Sequence, residues 1–300
     1  MTLRVKPGAF SCIVLTALAA VVLCPCLYPE GGDCSLAGPG TAGPAGMLLA
    51  QVEEGDIDES FEVYGDDSDE IFEYDEALMA PLDSLVEGIQ WLGHASFLIE
   101  NTRTIYIDPY DIPEELAEAL PKADIILVTH DHADHFCPES IERISGPSTM
   151  LVSIEPVTED LPDVIKHFHT VAPGDTVTLE GIDIEAVPAY NIGKKFHPRE
   201  KGYVGFIIHT ENRTIYHAGD TDLIPEMEQI RTDIALLPIG GKYTMDASEA
   251  AEAADIMKPA VAIPMHWGKI IGTWEDAKEF QARCKTPVLV LRQVTHKEAK

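Results

Sequence analysis

The apolar run 123–128 passes without a break into Thr129-His130-Asp131-His132-Ala133-Asp134-His135, three histidines and two aspartates within seven residues. Such a chain must deliver a buried strand into a polar loop, so the end of that strand fixes where its chemistry happens. In an extended loop His130 and His132 point to one side while Asp134 and His135 turn to the other. One pair can therefore serve each of two metal ions. Imidazole nitrogen and carboxylate oxygen are the ligands that zinc and its first-row neighbours prefer, and packing alone does not explain four of them behind a buried strand.

Two later loops offer the remaining ligands. His217-Ala218-Gly219-Asp220-Thr221 follows a strand predicted over 214–217. Asp220 is there as a carboxylate able to bridge two ions, or as an ordinary turn or helix-capping aspartate. Pro264-Met265-His266-Trp267-Gly268 follows a strand predicted over 260–264, and His266 would complete the second ion's set. His94, in Gly93-His94-Ala95-Ser96, follows the first turn and could face the cleft as a substrate contact or proton donor, the alternative being a structural histidine. His167, His169, His209 and His296 sit without partners in strand or tail contexts and read as structural. Gly240-Gly241 lets backbone approach the site but is no phosphate cradle, because no G-x-x-x-x-G-K-[ST] follows.

From residue 85 onward short apolar runs alternate with amphipathic segments. Strands are predicted over 95–100, 104–107, 124–129, 149–153, 177–187 (a hairpin pivoting on Glu180-Gly181), 203–209, 214–217, 234–237, 260–264 and 288–291. Helices are predicted over 113–120, 138–144, 224–230, 246–257 and 274–284. Hairpins come first and alternating units later, twice over. Two sheets packed face to face with helices outside accommodate that order.

The amino-terminal segment differs in kind. Arg4 and Lys6 precede an apolar stretch over 9–23, and a Gly/Pro/Ala-rich stretch follows to residue 46. Residues 1–45 therefore read as a signal peptide or membrane anchor, which makes the protein exported, either secreted or membrane-anchored through this segment. Thirteen acids lie between Glu53 and Glu76, and no Lys or Arg occurs between Lys6 and Arg103. Residues 46–84 are accordingly expected to be an acidic, disordered linker ahead of a hydrolase domain over 85–295. The net charge of -30 excludes nucleic acid as a partner, since phosphate binding needs a basic surface. Cys12, Cys24, Cys26 and Cys34 belong to the leader region, leaving Cys137 and Cys284 as packed or free thiols and not a disulfide framework.

Gly93-His94-Ala95-Ser96, Ile107-Asp108-Pro109, the motif from His130 to His135, Ala218-Gly219-Asp220-Thr221, Leu237-Pro238-Ile239-Gly240-Gly241 with Thr244-Met245, and Pro264-Met265-His266 occur in that order across residues 89–270. In this the chain resembles the metallo-beta-lactamase superfamily, and most of all its metal-dependent hydrolases related to ascorbate-6-phosphate lactonase. The resemblance implies an α+β fold, a four-layer αβ/βα sandwich, with two divalent ions. It assigns His130 and His132 to one ion, Asp134, His135 and His266 to the other, and Asp220 between them. It makes Asp108 the carboxylate that orients a ligating imidazole through its remaining N–H. The chain departs from the superfamily where many members carry a third histidine for the first ion: Asn191 stands there, and His197, six residues on, is the other candidate. The expected activity is hydrolysis of an ester, lactone or phosphodiester bond in a small-molecule substrate by a metal-activated hydroxide, with Asp134 and His94 as catalytic residues and zinc, manganese or iron(II) as the metal. A membrane-associated phospholipase D-like phosphodiesterase and a non-catalytic exported metal-binding domain are the alternatives.

Overall fold

Strand pairing sorts the described residues, 82–296 of the computed structural model, into two six-stranded mixed sheets. One holds β1 (Ile89–Gly93), β2 (Ser96–Glu100), β3 (Thr104–Ile107), β4 (Ala123–Val128), β5 (Ser145–Ser153) and β6 (His167–Thr170), side by side in chain order. The other holds β7 (Thr176–Leu179), β8 (Ile182–Pro188), β9 (Val204–His209), β10 (Thr214–His217), β11 (Ile234–Pro238) and β12 (Val261–Met265) in the same manner. Each sheet begins antiparallel and ends parallel: β1 to β3 are antiparallel neighbours and β3 to β6 parallel, β7 to β10 antiparallel and β10 to β12 parallel. Tight turns suffice for the first half of each sheet, as at Glu180-Gly181 with φ of 51° and 86°. Parallel neighbours need crossovers, which the helices Glu114–Ala119, Pro138–Ile144 and Ala247–Met257 provide.

The parallel strands β4, β11 and β12 are buried almost throughout, so both faces of each sheet are covered. The layers are helix, sheet, sheet, helix, as the αβ/βα sandwich requires. Helix Ala247–Met257 opens on a capping box of Asp246 with Glu249 and buries Ala250, Ala251, Ala253 and Ala254, small side chains that let it lie close to β11. It packs on Trp274–Arg283, which carries its own capping box of Thr273 with Asp276.

Several elements differ from expectation, among them the unexpected short helix Glu155–Thr158 and 3-10 turn Arg199–Lys201. Strand β1 went unpredicted, and so did β6, whose four residues are all exposed and carry no apolar signal. The helix expected over 224–230 is the 3-10 turn Pro225–Gln229; its buried Ile224, Met227 and Ile230 recur every third residue, which is the 3-10 period. The strand expected over 288–291 contributes a single bridge, Val288 to Ala262. Helix Asp83–Val86 takes in the last two positions assigned to the linker. The leader over 1–45 and the rest of the acidic segment lie outside the described residues. Among the described residues no helix is long and apolar enough to cross a membrane.

Gly205 on β9 lies against the backbone at the end of β10. A Cβ there would stand 2.6 Å from the His217 carbonyl oxygen and 2.7 Å from that of Ala218. Gly205→Ala is therefore expected to destabilise the fold by about 3 kcal/mol, measured by denaturant unfolding, because backbone on both sides must move. A loss below ~0.5 kcal/mol would show that β9 and β10 can slide apart freely.

Candidate metal centre

The chemistry-bearing residues gather where the parallel strands of both sheets run out at their carboxyl ends. After β4, Thr129 leads into His130, and the chain then turns, with the N–H groups of His135 and Phe136 both donating to the His132 carbonyl. After β3 comes Asp108, after β10 the loop carrying Asp220, and after β12 His266. His94 sits in the turn between β1 and β2. Seven non-glycine residues in the described chain have positive φ, and His94, Asp108, His197 and His266 are four of them. Left-handed backbone is unfavourable for such side chains and concentrates at sites that surrounding structure over-determines.

Two ligand groups result, joined by a third made of His130, His135 and Asp220. His130, His132 and His197 form one: His132 Nδ1 lies 3.1 Å from His130 Nε2 and 3.0 Å from His197 Nε2. His94, Asp134, His135 and His266 form the other. Asp220 stands between them and is 3% exposed. Its Oδ1 lies 3.3 Å from His135 Nε2, and its Oδ2 lies 3.1 Å from His266 Nε2 and 3.4 Å from His197 Nε2. The structure thus brings together all seven residues singled out as metal ligands. Both candidates for the position after β8 are buried beside this cluster, and Asn191 Oδ1 has no hydrogen-bond partner. Asn191 turns its amide to the carbonyls of Phe196 and Tyr243 and to His197 Nδ1, at 3.1, 2.5 and 3.2 Å. His197 alone of the pair presents a ring nitrogen to His130 and His132.

His94 is placed differently from the expectation that it faces the cleft. It is fully buried, lies against His266 with ring centroids 3.9 Å apart and planes tilted by 43°, and reaches Asp134 Oδ2 through Nε2 at 3.1 Å. Burial, reinforced by the neighbouring His266, pushes it down to about 4, so its imidazole is neutral near pH 7. Asp108 accepts from His135 Nδ1 through Oδ2 at 2.7 Å, as a carboxylate that orients a ligating imidazole does. It also takes the Thr129 N–H on Oδ1 and the Thr129 hydroxyl on Oδ2, each at 2.7 Å. His209 pairs with Glu185 at 2.7 Å and His296 with the Glu115 carbonyl, while His167 and His169 are exposed on β6. Cys137 and Cys284 are free, and burial pushes the Cys284 thiol up to about 12.

The donor set fits divalent cations. His94 Nδ1, His135 Nε2, both ring nitrogens of His266 and Asp220 Oδ1 are buried yet make no hydrogen bond within the protein. Buried polar atoms are rarely left so without a ligand to take them. Burial opposes charge on Asp220, but His266 and His135 outweigh it and hold the carboxyl well below its usual range. Burial, reinforced by the neighbouring His135, lowers His130 far below an ordinary histidine. Burial opposes charge on His135 too, but Asp220 and Asp108 outweigh it and hold that imidazole well above an ordinary histidine, so a cation bound there would take the place of its proton.

A cleft of about 290 Å³ opens over the cluster, lined by His132, Ala133, Asp134, Phe196, His197, Asp220 and Tyr243. Phe196 and Tyr243 were not singled out from the sequence; their signal lay in the neighbours, Phe196 beside His197 and Tyr243 between Gly241 and Thr244. Behind the cluster stand the three tryptophans of the chain: Trp91 stacks on Trp267 with centroids 5.0 Å apart, and Trp267 meets Trp274 at 5.9 Å. Trp91 Nε1 donates to the His94 carbonyl.

The beta-lactamase superfamily domain matches residues 88–266, which contain every residue of both groups. The chain belongs to the metallo-beta-lactamase superfamily. Within the superfamily it is 37% identical to a UPF0173 metal-dependent hydrolase of Thermoplasma acidophilum, over 66% of this chain and 91% of that one. It is 35% identical to a UPF0173 metal-dependent hydrolase of Pyrococcus abyssi, over 68% and 96%. A solved metal-dependent hydrolase from Parabacteroides distasonis superposes with a TM-score of 0.61 at 33% identity, covering 69% of this chain and 93% of that one. This metallo-beta-lactamase superfamily member is a metal-dependent hydrolase whose His/Asp cluster is able to bind metal ions.

Proposed function

We propose that the protein binds two divalent cations, zinc being the ion the nitrogen-rich donor set suits best and manganese or iron(II) the others it admits, and hydrolyses an ester, lactone or phosphodiester bond in a small molecule. The observation that carries this reading is the pair of ligand groups meeting at Asp220. His130, His132 and His197 would hold one cation; Asp134, His135 and His266 the other, with Asp220 shared. Bound cations supply Lewis acidity, making hydroxide available near neutral pH and drawing electron density from the substrate's carbonyl or phosphoryl oxygen. Asp134 lines the cleft with 26% of its side chain exposed, and its task is to orient the attacking water. His94 holds Asp134 from the buried side and acts through it, not on substrate. Phe196 and Tyr243, whose rings meet edge to face at 5.2 Å, wall the cleft and limit water around the scissile bond.

Metal analysis of protein purified without added ions, followed by assay on lactones, aryl esters and bis-p-nitrophenyl phosphate, tests the reading. Two equivalents of metal and chelator-sensitive hydrolysis are expected; one equivalent, or turnover that survives chelation, would refute it. His197→Ala should remove about one equivalent and cost roughly 100-fold in kcat/KM, whereas Asn191→Ala, which only loosens the loop, should cost about tenfold. Equal effects would mean that His197 has no ligand role.

A second reading, a lipid-directed phosphodiesterase, is favoured by exposed apolar side chains beside the cleft: Ile192 and Phe196 on one loop and Ile270 on another. Hydrolysis of phospholipid vesicles in preference to soluble esters would select it. We retain the segment over 1–45 as an export signal or anchor. Truncation before Ala45 should leave a soluble, folded hydrolase and abolish any membrane association.

A further inference from the structure

The mouth of the cleft carries positive charge in a chain whose net charge is -30. Phe196 and Tyr243 form its outer wall, the Phe196 ring lying 6.4 Å from that of His132. Over Phe196 sits the ammonium of Lys195, 5.6 Å from the ring centroid, and over Tyr243 that of Lys242, at 5.1 Å. Both lysines are exposed, and among the described residues neither has a carboxylate partner. Neighbouring Lys194 is different in kind. Its ammonium is bound by Asp222 at 2.6 Å and by the carbonyls of Thr244 and Gly241 at 2.7 and 3.1 Å. Together with the Asn191 amide on the Tyr243 carbonyl, these bonds fasten the two loops to one another. The two loops that carry Lys195 and Lys242 are thereby fastened together, and the ring faces attract the ammoniums without neutralising them.

We infer that Lys195 and Lys242 form an anion-reading rim, and that the substrate is a small molecule bearing a carboxylate or phosphate group apart from the bond that is cut. The inference rests on the hydrolase reading above and names the class of substrate that this site takes. In so acidic a chain, two ammoniums without carboxylate partners beside the reacting groups favour the approach of an anionic substrate and set which end of it points outward. The flat faces of Phe196 and Tyr243 accommodate the segment between the anionic group and the scissile bond.

The test compares a matched pair of esters on the metal-loaded enzyme, mono(4-nitrophenyl) glutarate and 4-nitrophenyl butyrate, which share a leaving group and differ in the distal carboxylate. Wild type should prefer the glutarate ester in kcat/KM, through a lower KM, and the preference should weaken as salt rises. In K195E/K242E the glutarate-to-butyrate ratio should fall roughly 10–100-fold. K195R/K242R should keep the ratio, as should K122E/K285E, which changes total charge equally but away from the cleft. An unchanged ratio in K195E/K242E, or an equal fall in K122E/K285E, would overturn the proposal. Calorimetric binding of 3-phenylpropionate, 2-phenylethyl phosphate and neutral 3-phenylpropionamide needs no turnover. Stronger binding of either anion, lost in K195E/K242E, supports the rim and says which oxyanion it takes, and equal binding of all three rejects it. Should neither ester be hydrolysed, the ester reading of the reaction fails, and the binding series still decides the rim.

Discussion

Asp220→Asn is expected to lower kcat/KM by about 10³-fold and to remove at least one of two metal equivalents. The substitution keeps the volume of the side chain and exchanges a negative oxygen for an N–H donor. Asp220 is buried, and three imidazole nitrogens lie within 3.4 Å of its two oxygens: His135 on one side, His266 and His197 on the other. Among the described residues no other carboxylate is in contact with residues of both ligand groups. Loss of its charge therefore leaves each group short at once, whereas loss of a single histidine impairs one. The change in shape is slight, so the fold should persist and the effect should appear in metal content and turnover together. Near-normal metal content with near-normal rates would show that Asp220 serves only as a turn residue, the plain reading that its place before Thr221 and Asp222 also permits.

Asp108→Ala is expected to act first on stability, by about 3–5 kcal/mol, and then on metal affinity, by about 10–100-fold. Three donors converge on this one buried carboxylate: the Thr129 N–H, the Thr129 hydroxyl and His135 Nδ1. Alanine would leave the Thr129 N–H and His135 Nδ1 buried without this acceptor, and it tolerates the φ of 44° at this position poorly. Asp108→Asn separates the two consequences. Asparagine adopts left-handed backbone more readily and can still accept from Thr129, so most of the stability should return. It cannot offer a full negative charge to His135, so the loss of metal affinity should remain. Thermal unfolding with and without added metal checks both. Equal stability of the alanine and asparagine variants would deny the carboxylate its role in tying β3 to β4.

What the sequence revealed followed from the strand ends. A ligand-rich loop directly after an apolar run is legible because the run fixes a buried strand and the loop must emerge at its carboxyl end, as His130 to His135 and His266 do. The hairpins and parallel units were legible for the same reason. Elements whose apolar pattern is short or absent were not: β6 is held by backbone pairing to β5 with all its side chains exposed, and 288–291 reads as a strand yet makes one bridge. Within the site, the choice between Asn191 and His197 turned on which side chain the loop over 191–197 aims inward. That depends on the positive φ of His197 and on tertiary contacts to Tyr243, neither of which a linear pattern carries. For His94 the pattern left open a cleft-facing or a structural histidine, and the burial that places its ring beside His266 depends on tertiary contacts that a linear pattern does not carry.

The tryptophan stack gives the protein its own optical gauge. Every indole of the chain is in that one stack, next to the backbone of His94 and immediately after His266 in sequence, so intrinsic emission comes from a single neighbourhood. Filling or stripping of the adjacent ligand groups should alter its intensity, and occupancy can be followed in real time on the unlabelled protein, without any substrate being known.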